Sequence, residues 1–278
     1  MKLLCVGEIL VDMIAEKDCL KDSREFNARP GGAPANVAVA ASRMGADVEM
    51  AGTVGNDGFG EMLTRKLEEE DVGIDKLAVS DEKTTLAFVA LDENAEPEFS
   101  FYRGADLEIG EEQLVEGYDV IHFGSLPFTD PELAERLEKY AERSQALISF
   151  DPNLRSDLRD REYMDRLKSF IEVSDLIFLS EEENKNFDID AEEILVTRGS
   201  EGAKLLTQDF TQVEKPPEVD AVDTTGAGDA LTGTYLAFRD ISRRKAIKKA
   251  VEASALSTLK KGAMSALPDR RRLENHFQ

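Results

Sequence analysis

The chain has 278 residues, enough to bury a sizeable core as one large domain or two small ones, and its 41% apolar content marks a folded globular protein. Acidic side chains outnumber basic ones by 57 to 34, and the resulting charge of −23, dispersed along the chain, disfavours nonspecific binding to nucleic acid or anionic membrane. Cys5 and Cys19 are too few for a disulfide framework or a zinc site, nothing reads as a signal peptide or reaches transmembrane length, and a reduced, cytoplasmic compartment is expected.

Leu3-Leu4-Cys5-Val6 reads as a buried strand ending at Gly7-Glu8, and apolar residues resume at Ile9-Leu10-Val11 before Asp12. Ligands of an open parallel sheet gather beyond the carboxyl ends of its strands, where Asp12 stands. Residues 17–29 are polar and irregular and read as a projecting flap. A helix over 34–44 follows, with Pro in its first turn, Asn36 beside it, and Gly45 closing it. Next come a strand over 48–54, the turn Gly55-Asn56-Asp57-Gly58 and a helix over 59–70. Segments 84–91 and 98–102 flank Asp92-Glu93-Asn94-Ala95-Glu96 as a hairpin. An inserted sheet with an apolar face needs a cover, which predicts a lid or an oligomer interface.

From residue 118 the rhythm is regular. Strands over 118–123, 146–150 and 176–179 alternate with helices over 131–143 and 162–173, a pattern that predicts a parallel sheet with helices on both faces. Gly124-Ser125, Asp151-Pro152-Asn153-Leu154-Arg155 and Ser180-Glu181-Glu182-Glu183 follow those strands and should line one rim. His122 lies in an apolar run and reads as a core histidine; only His276 accompanies it, so a Ser-His-Asp hydrolase is disfavoured. A strand at Ile194-Leu195-Val196-Thr197 comes only about a dozen residues after Ser180, near the minimum for a parallel crossover. It ends in Arg198-Gly199-Ser200-Glu201-Gly202. Residues 219–222 lead into a helix reaching Phe238, and a last amphipathic helix spans 245–259.

The entrance to the first of those two helices, Asp223-Thr224-Thr225-Gly226-Ala227-Gly228-Asp229, is built to hold an anion. Amides in a helix's first turn lack internal partners, and the helix dipole adds positive potential there. Asp229 would oppose a phosphate unless it accepts a proton from a hydroxyl attacking that phosphate; otherwise it simply caps the helix. A second glycine-rich entrance, Gly31-Gly32-Ala33-Pro34-Ala35-Asn36, suggests two ligands or one ligand gripped from both sides. No Gly-x-Gly-x-x-Gly follows the first strand and no Gly-x₄-Gly-Lys-Ser/Thr occurs, which argues against a Rossmann dehydrogenase and a P-loop enzyme.

Together these entrances resemble the two signatures of the ribokinase-like (PfkB) sugar and nucleoside kinases, and the similarity runs from Gly7 to Pro268. Departures are Thr234 for the usual Gly or Ala, Val251 where many relatives have Asn near the nucleotide, and the short stretch between Ser180 and Ile194. The resemblance implies a three-layer α/β/α fold with a mostly parallel sheet, a single domain over 1–278, and a small β-sheet lid from segments near 12–30 and 84–103. Gly-Glu-Ile-Leu-Val-Asp, Phe101-Tyr102-Arg103 and Asp151-Pro152-Asn153-Leu154-Arg155 are most similar to the fructokinase branch.

The implied activity is ATP-dependent phosphorylation of a primary sugar hydroxyl, with fructose giving fructose 6-phosphate. Asp229 would be the base, with the amides of Gly226, Ala227 and Gly228 around the transferred phosphoryl group. Asp12, Gly31, Gly32, Asn36 and Arg103 would hold the sugar, and Asn153 and Arg155 would stand near the phosphate. Thr197, Gly199, Gly202, Gly226 and Gly228 would border the nucleotide. Glu183 would arrange Mg²⁺ through water, Ser180 replacing the family's Asn, and a K⁺ site would lie near Asp223 and Thr225. A homodimer through the lid sheet is implied as well. 2-Keto-3-deoxygluconate kinase, nucleoside kinase and a noncatalytic sugar-binding relative remain alternatives.

Overall fold

The computed structural model describes residues 1–91, 97–154, 160–187 and 189–276. The predicted hairpin tip at 92–96 and the candidate Arg155 lie outside the described residues.

Strand β1 (Lys2–Val6) is followed by β2 (Leu10–Ala15) and β3 (Phe26–Gly31), then helix α1 (Ala33–Arg43) and β4 (Asp47–Gly55). Helix α2 (Gly58–Glu69) precedes β5 (Leu77–Ser80), β6 (Leu86–Leu91), β7 (Pro97–Tyr102) and β8 (Val120–Phe123). Helix α3 (Pro131–Arg143), β9 (Leu147–Phe150), α4 (Arg161–Glu172), β10 (Leu176–Ser180) and β11 (Glu193–Thr197) continue the alternation. Strands β12 (Ala203–Thr207) and β13 (Thr211–Glu214) and helices α5 (Ala227–Arg239), α6 (Arg243–Ser257) and α7 (Arg270–His276) complete the chain.

The large sheet has the order β13-β12-β11-β10-β9-β8-β1-β4-β5, parallel from β11 to β5 with β12 and β13 antiparallel at one edge. Period-two alternation divides its side chains. Leu3, Cys5, Val120, Leu176 and Phe178 point into a core shared with α1, α2, α5 and α6, while Leu4, Val6, Ile121, Phe123, Ile177 and Leu179 face α3 and α4. The second core is aromatic: Phe170 packs on Phe123, Phe128 and Phe150 with ring centroids 4.6–4.9 Å apart. His122 is a core residue, 3.0 Å from Ser149 Oγ, and burial pushes its imidazole down to about 3, so it stays neutral.

A second sheet, β3-β2-β6-β7, stands apart from the first. It corrects the reading of 17–29 as irregular, since β3 pairs antiparallel with β2 from Phe26 to Gly31. Asn27 and Arg29 are exposed on this edge strand, so its sequence looks like a loop although its backbone is paired. Two further corrections concern the C-terminal part. Strands β12 and β13 add to the predicted elements, and α6 is not the last helix: α7 follows and packs through Leu273 against Met44, Ala253 and Leu256. The short β10 to β11 connection is a parallel crossover whose described residues form only a 3₁₀ turn at Glu183–Lys185.

Side chains cap most helix starts. Asp130, Asp160 and Ser242 accept amides of Leu133, Tyr163 and Lys245 at the starts of α3, α4 and α6. Asp57 does more: its carboxylate accepts from Phe59 and Gly60 at the start of α2 and from the amide and hydroxyl of Thr84. Burial alone would raise this carboxyl, but the hydrogen bonds outweigh it and hold Asp57 below its ordinary range. A depressed pKa adds stability that is fully present above the unfolded value and is lost as pH falls through the folded one. Acid unfolding should therefore steepen below about pH 4, and Asp57→Asn should flatten that limb of a stability-versus-pH curve. Identical slopes in the two proteins would show that other carboxylates set it.

Candidate active site

All strands from β1 through β11 that lie parallel in the large sheet end on one rim. The chain runs outward from β1 to β4 and β5 on one side and from β8 to β11 on the other, so the direction reverses between β1 and β8. That crevice is where open α/β sheets bind ligands. Glu8, buried at the end of β1, accepts the amide of Ala33 at 3.3 Å and so ties the crevice to the start of α1.

Helices α1 and α5 both begin here. Gly32 precedes α1 at φ 102° and Gly226 precedes α5 at φ 77°, left-handed values at which a side chain would be strained. The helices run side by side, Asn36 meeting Asp229 in the first turns and Gly233 meeting Val37, Ala40 and Ala41 one turn on. A β-carbon at Gly233 would stand 2.6 Å from the Val37 carbonyl oxygen and from Ala40 Cβ. Gly233→Ala should thus push the helices apart and cost ~1–3 kcal/mol, measured by denaturant unfolding, while weakening the Asn36–Asp229 contact. Unchanged stability would mean the helix spacing is set elsewhere.

The central contact is the hydrogen bond from Asn36 Nδ2 to Asp229 Oδ2, 2.8 Å long and joining residues 193 positions apart. Asn36 is 5% exposed, and its carbonyl oxygen has no hydrogen-bond partner among the described residues. In the first turn of α5 the space where a β-carbon of Gly228 would stand is open, whereas Ala263 packs on Gly226 just before the helix. The Ala227 amide donates to the Thr224 carbonyl at 3.1 Å, so one of the three amides expected around a phosphoryl group already has an acceptor. Asp223 accepts from the amide and hydroxyl of Thr225 through one oxygen and from the Gly262 amide through the other. Burial opposes its charge, but these donors prevail and keep it below its ordinary range.

Asp12 lies on β2 with its carboxylate over Gly31: a β-carbon there would be 2.0 Å from Oδ2. By register Asp12 shares its sheet face with Leu10, Ala87, Val89, Phe99 and Phe101, and Leu126 packs on this face from the layer of the large sheet. Arg103 follows β7, with its guanidinium held by Asp106, Thr129 Oγ1 at 2.8 Å and the Leu126 carbonyl.

Beyond β9, β10 and β11 the rim is carboxylate-rich. Asp151 accepts the Asn153 amide at 3.0 Å, and Asn153 sits at φ 39°. Glu183 accepts the amides of Leu154 and, at 2.6 Å, Ser180, whose hydroxyl accepts the Glu183 amide in return. Burial first, then the charges of Glu183, Asp229 and Glu8, raise Asp151 well above the usual carboxylate range. Thr197 donates to the Leu179 carbonyl at 3.2 Å, and the 3₁₀ turn Gly199–Glu201 closes with the Arg198 amide on the Gly202 carbonyl. Among the described residues no group of three His, Cys, Asp or Glu side chains is arranged to hold a metal directly.

One rim therefore brings together Asp12, Gly31, Gly32, Asn36, Asn153, Glu183, Gly226, Ala227, Gly228 and Asp229, with Thr197, Gly199 and Gly202 beyond β11 and Asp223 and Thr225 before α5. Sequence reasoning places Asp151 on this rim without assigning it a role, and does not place Glu8 there. Each is the first or second residue after a parallel strand, and that position is the one available signal.

The pfkB family carbohydrate kinase model matches residues 1–270. Fructokinase-1 of Zea mays is 35% identical, over 94% of this chain and 93% of that protein. A sugar kinase of Pyrococcus horikoshii crystallised with ATP superimposes with a TM-score of 0.88 at 31% identity, covering 98% and 96% of the two chains. Fructokinase of Xylella fastidiosa with bound ATP gives 0.87 at 30% identity, covering 98% and 97%.

Proposed function

Because the chain belongs to the pfkB family of carbohydrate kinases and is an ATP-dependent sugar kinase, we propose that it phosphorylates the primary 6-hydroxyl of fructose. The observation that carries this reading furthest is the Asn36–Asp229 hydrogen bond, which joins two glycine-capped helix starts at one point. Asp229 accepts the proton of the sugar hydroxyl as its oxygen bonds to the γ-phosphorus; the bond to the β,γ-bridging oxygen breaks and ADP leaves. The open approach beside Gly228 favours its amide as a donor to the phosphoryl oxygens, with Gly226. Ala227 joins them on giving up the Thr224 carbonyl. Asp12, Gly31, Gly32, Asn36 and Arg103 hold the sugar, Asn153 stands near the phosphate, and Thr197, Gly199 and Gly202 border the nucleotide.

The donors present suit the expected cations. Both Glu183 oxygens already accept amides, which fits contact with Mg²⁺ through water, and Mg²⁺ when bound neutralises phosphate charge. Asp223, held ionised beside Thr225, fits a neighbouring K⁺. Free Cys5 and Cys19 accord with a reducing cytoplasm, and among the described residues no helix is long and apolar enough to cross a membrane.

The small sheet is assigned as the lid over the sugar, within a single domain over 1–278. Its face opposite Asp12 carries Phe26, Phe88 and Tyr102 in edge-on contact at 5.1 and 5.3 Å, with Tyr102 65% exposed. A second copy of the chain covering this face would make a homodimer. Sedimentation should then give a dimer that Phe88→Asp dissociates; a wild-type monomer would remove this assignment.

The reaction itself is tested by ³¹P NMR of the product formed from fructose and Mg·ATP. A phosphate ester coupled to a methylene pair at C6 is expected; an ester on a secondary carbon, or none, would contradict the proposal.

A further inference from the structure

The loop after β9 is gripped by two carboxylates at consecutive amides, Asn153 on Asp151 and Leu154 on Glu183. Glu183 is itself locked to the end of β10 by its reciprocal pair with Ser180. The result fixes Asn153 in the left-handed region, at φ 39°, which few side chains other than Asn and Asp tolerate and which persists only where the surroundings hold it. The Asp151 amide also bonds to the Phe123 carbonyl at 3.3 Å, so the loop's first residue is anchored to the neighbouring strand.

We propose that Asp151 is a positioning residue for phosphoryl transfer, acting as the hydrogen-bond acceptor that sets the left-handed turn at Asn153 on the rim beside Asp229. This rests on the kinase reading above. Its working feature is the acceptor oxygen. Its charge is a liability, since Glu183, Asp229 and Glu8 crowd it with like charge and the incoming nucleotide is anionic. A carboxamide keeps the acceptor and drops the charge, whereas a methyl group keeps neither.

Asp151→Asn and Asp151→Ala separate these properties. Two readouts are needed: steady-state kcat and KM with fructose and Mg·ATP, and hydrogen exchange at the amides of Asn153 and Leu154. Asp151→Ala should lose roughly 10- to 100-fold in kcat, the range a misplaced group costs, with KM for ATP within a few-fold. It should also exchange the Asn153 amide faster, while Asp151→Asn restores both properties to near wild type. An Asn variant as impaired as the Ala variant, or an Ala variant with wild-type kcat, would overturn the proposal. If wild type turns over no sugar, the kinase reading falls, and with it the positioning role for phosphoryl transfer. Exchange then judges only the turn: equal protection in all three proteins refutes the acceptor role, and selective loss in Asp151→Ala supports it.

Discussion

Asp229→Asn is expected to cut sugar-dependent ADP release by roughly 10²–10⁴-fold, the range assigned to general base catalysis, in a protein that melts like wild type. The substitution is nearly silent structurally. Asp229 stands in the first turn of α5 and takes a hydrogen bond from Asn36 Nδ2 at 2.8 Å, and a carboxamide oxygen accepts that bond equally well. Basicity is what disappears, so the loss should fall on kcat with little change in KM for either substrate. Near-normal turnover from pure Asp229→Asn protein would take Asp229 out of the base role and leave it a helix-start residue.

Glu193→Gln is expected to destabilise the fold by ~3–5 kcal/mol, the range for stripping a buried ion-pair network of one partner. Glu193 opens β11 and is 1% exposed, yet it receives Tyr235 Oη, Arg239 Nη2 at 3.1 Å and Arg243 Nε at 2.7 Å. Those donors come from α5 and α6, so one carboxylate joins the start of β11 to the helix that carries the anion-binding turn and to its neighbour. Burial, then the Glu193 charge, raises the Tyr235 phenol, which therefore remains a donor. Removing the charge leaves Arg239, 12% exposed, without a buried counter-ion. The melting temperature should fall by roughly 6–15 °C for a chain of this size. Breaking the Glu135–Lys139 pair, exposed on α3, should leave it essentially unmoved. Equal effects from the two exchanges would mean that the Glu193 network contributes no more than a solvated pair.

The continuous apolar runs of Leu3 to Val6 and Leu176 to Leu179, and the apolar stripes of α3 and α4, make the large sheet and its helices legible, because both faces of each strand are buried, each against a different core. Strand β3 is not legible, since its polar residues Asn27 and Arg29 are exposed on an edge. Strands β12 and β13 are short antiparallel additions after a parallel series, and they follow a glycine turn whose sequence signals a ligand rather than a change of strand direction. The site is legible only as two separate glycine-rich entrances. Nothing in their spacing says that Asn36 and Asp229 touch; that contact comes from the side-by-side packing of α1 on α5 at Gly233. Asp151 is legible as part of a rim segment but not in its role, and Glu8 escapes, because an acid after a strand is indistinguishable, in one sequence, from an ordinary turn residue.

The most direct measurement is ADP release from Mg·ATP, with potassium present, across fructose, 2-keto-3-deoxygluconate, ribose and adenosine, with Asp229→Asn as the blank. Turnover with fructose that vanishes in the blank is the predicted result, and it would fix reaction, acceptor and base together. Turnover with another acceptor alone would keep the base and move the substrate. No turnover from a folded wild-type protein with any of the four would contradict the fructose reading and leave either an acceptor outside these four or a noncatalytic relative marked by the short crossover between β10 and β11.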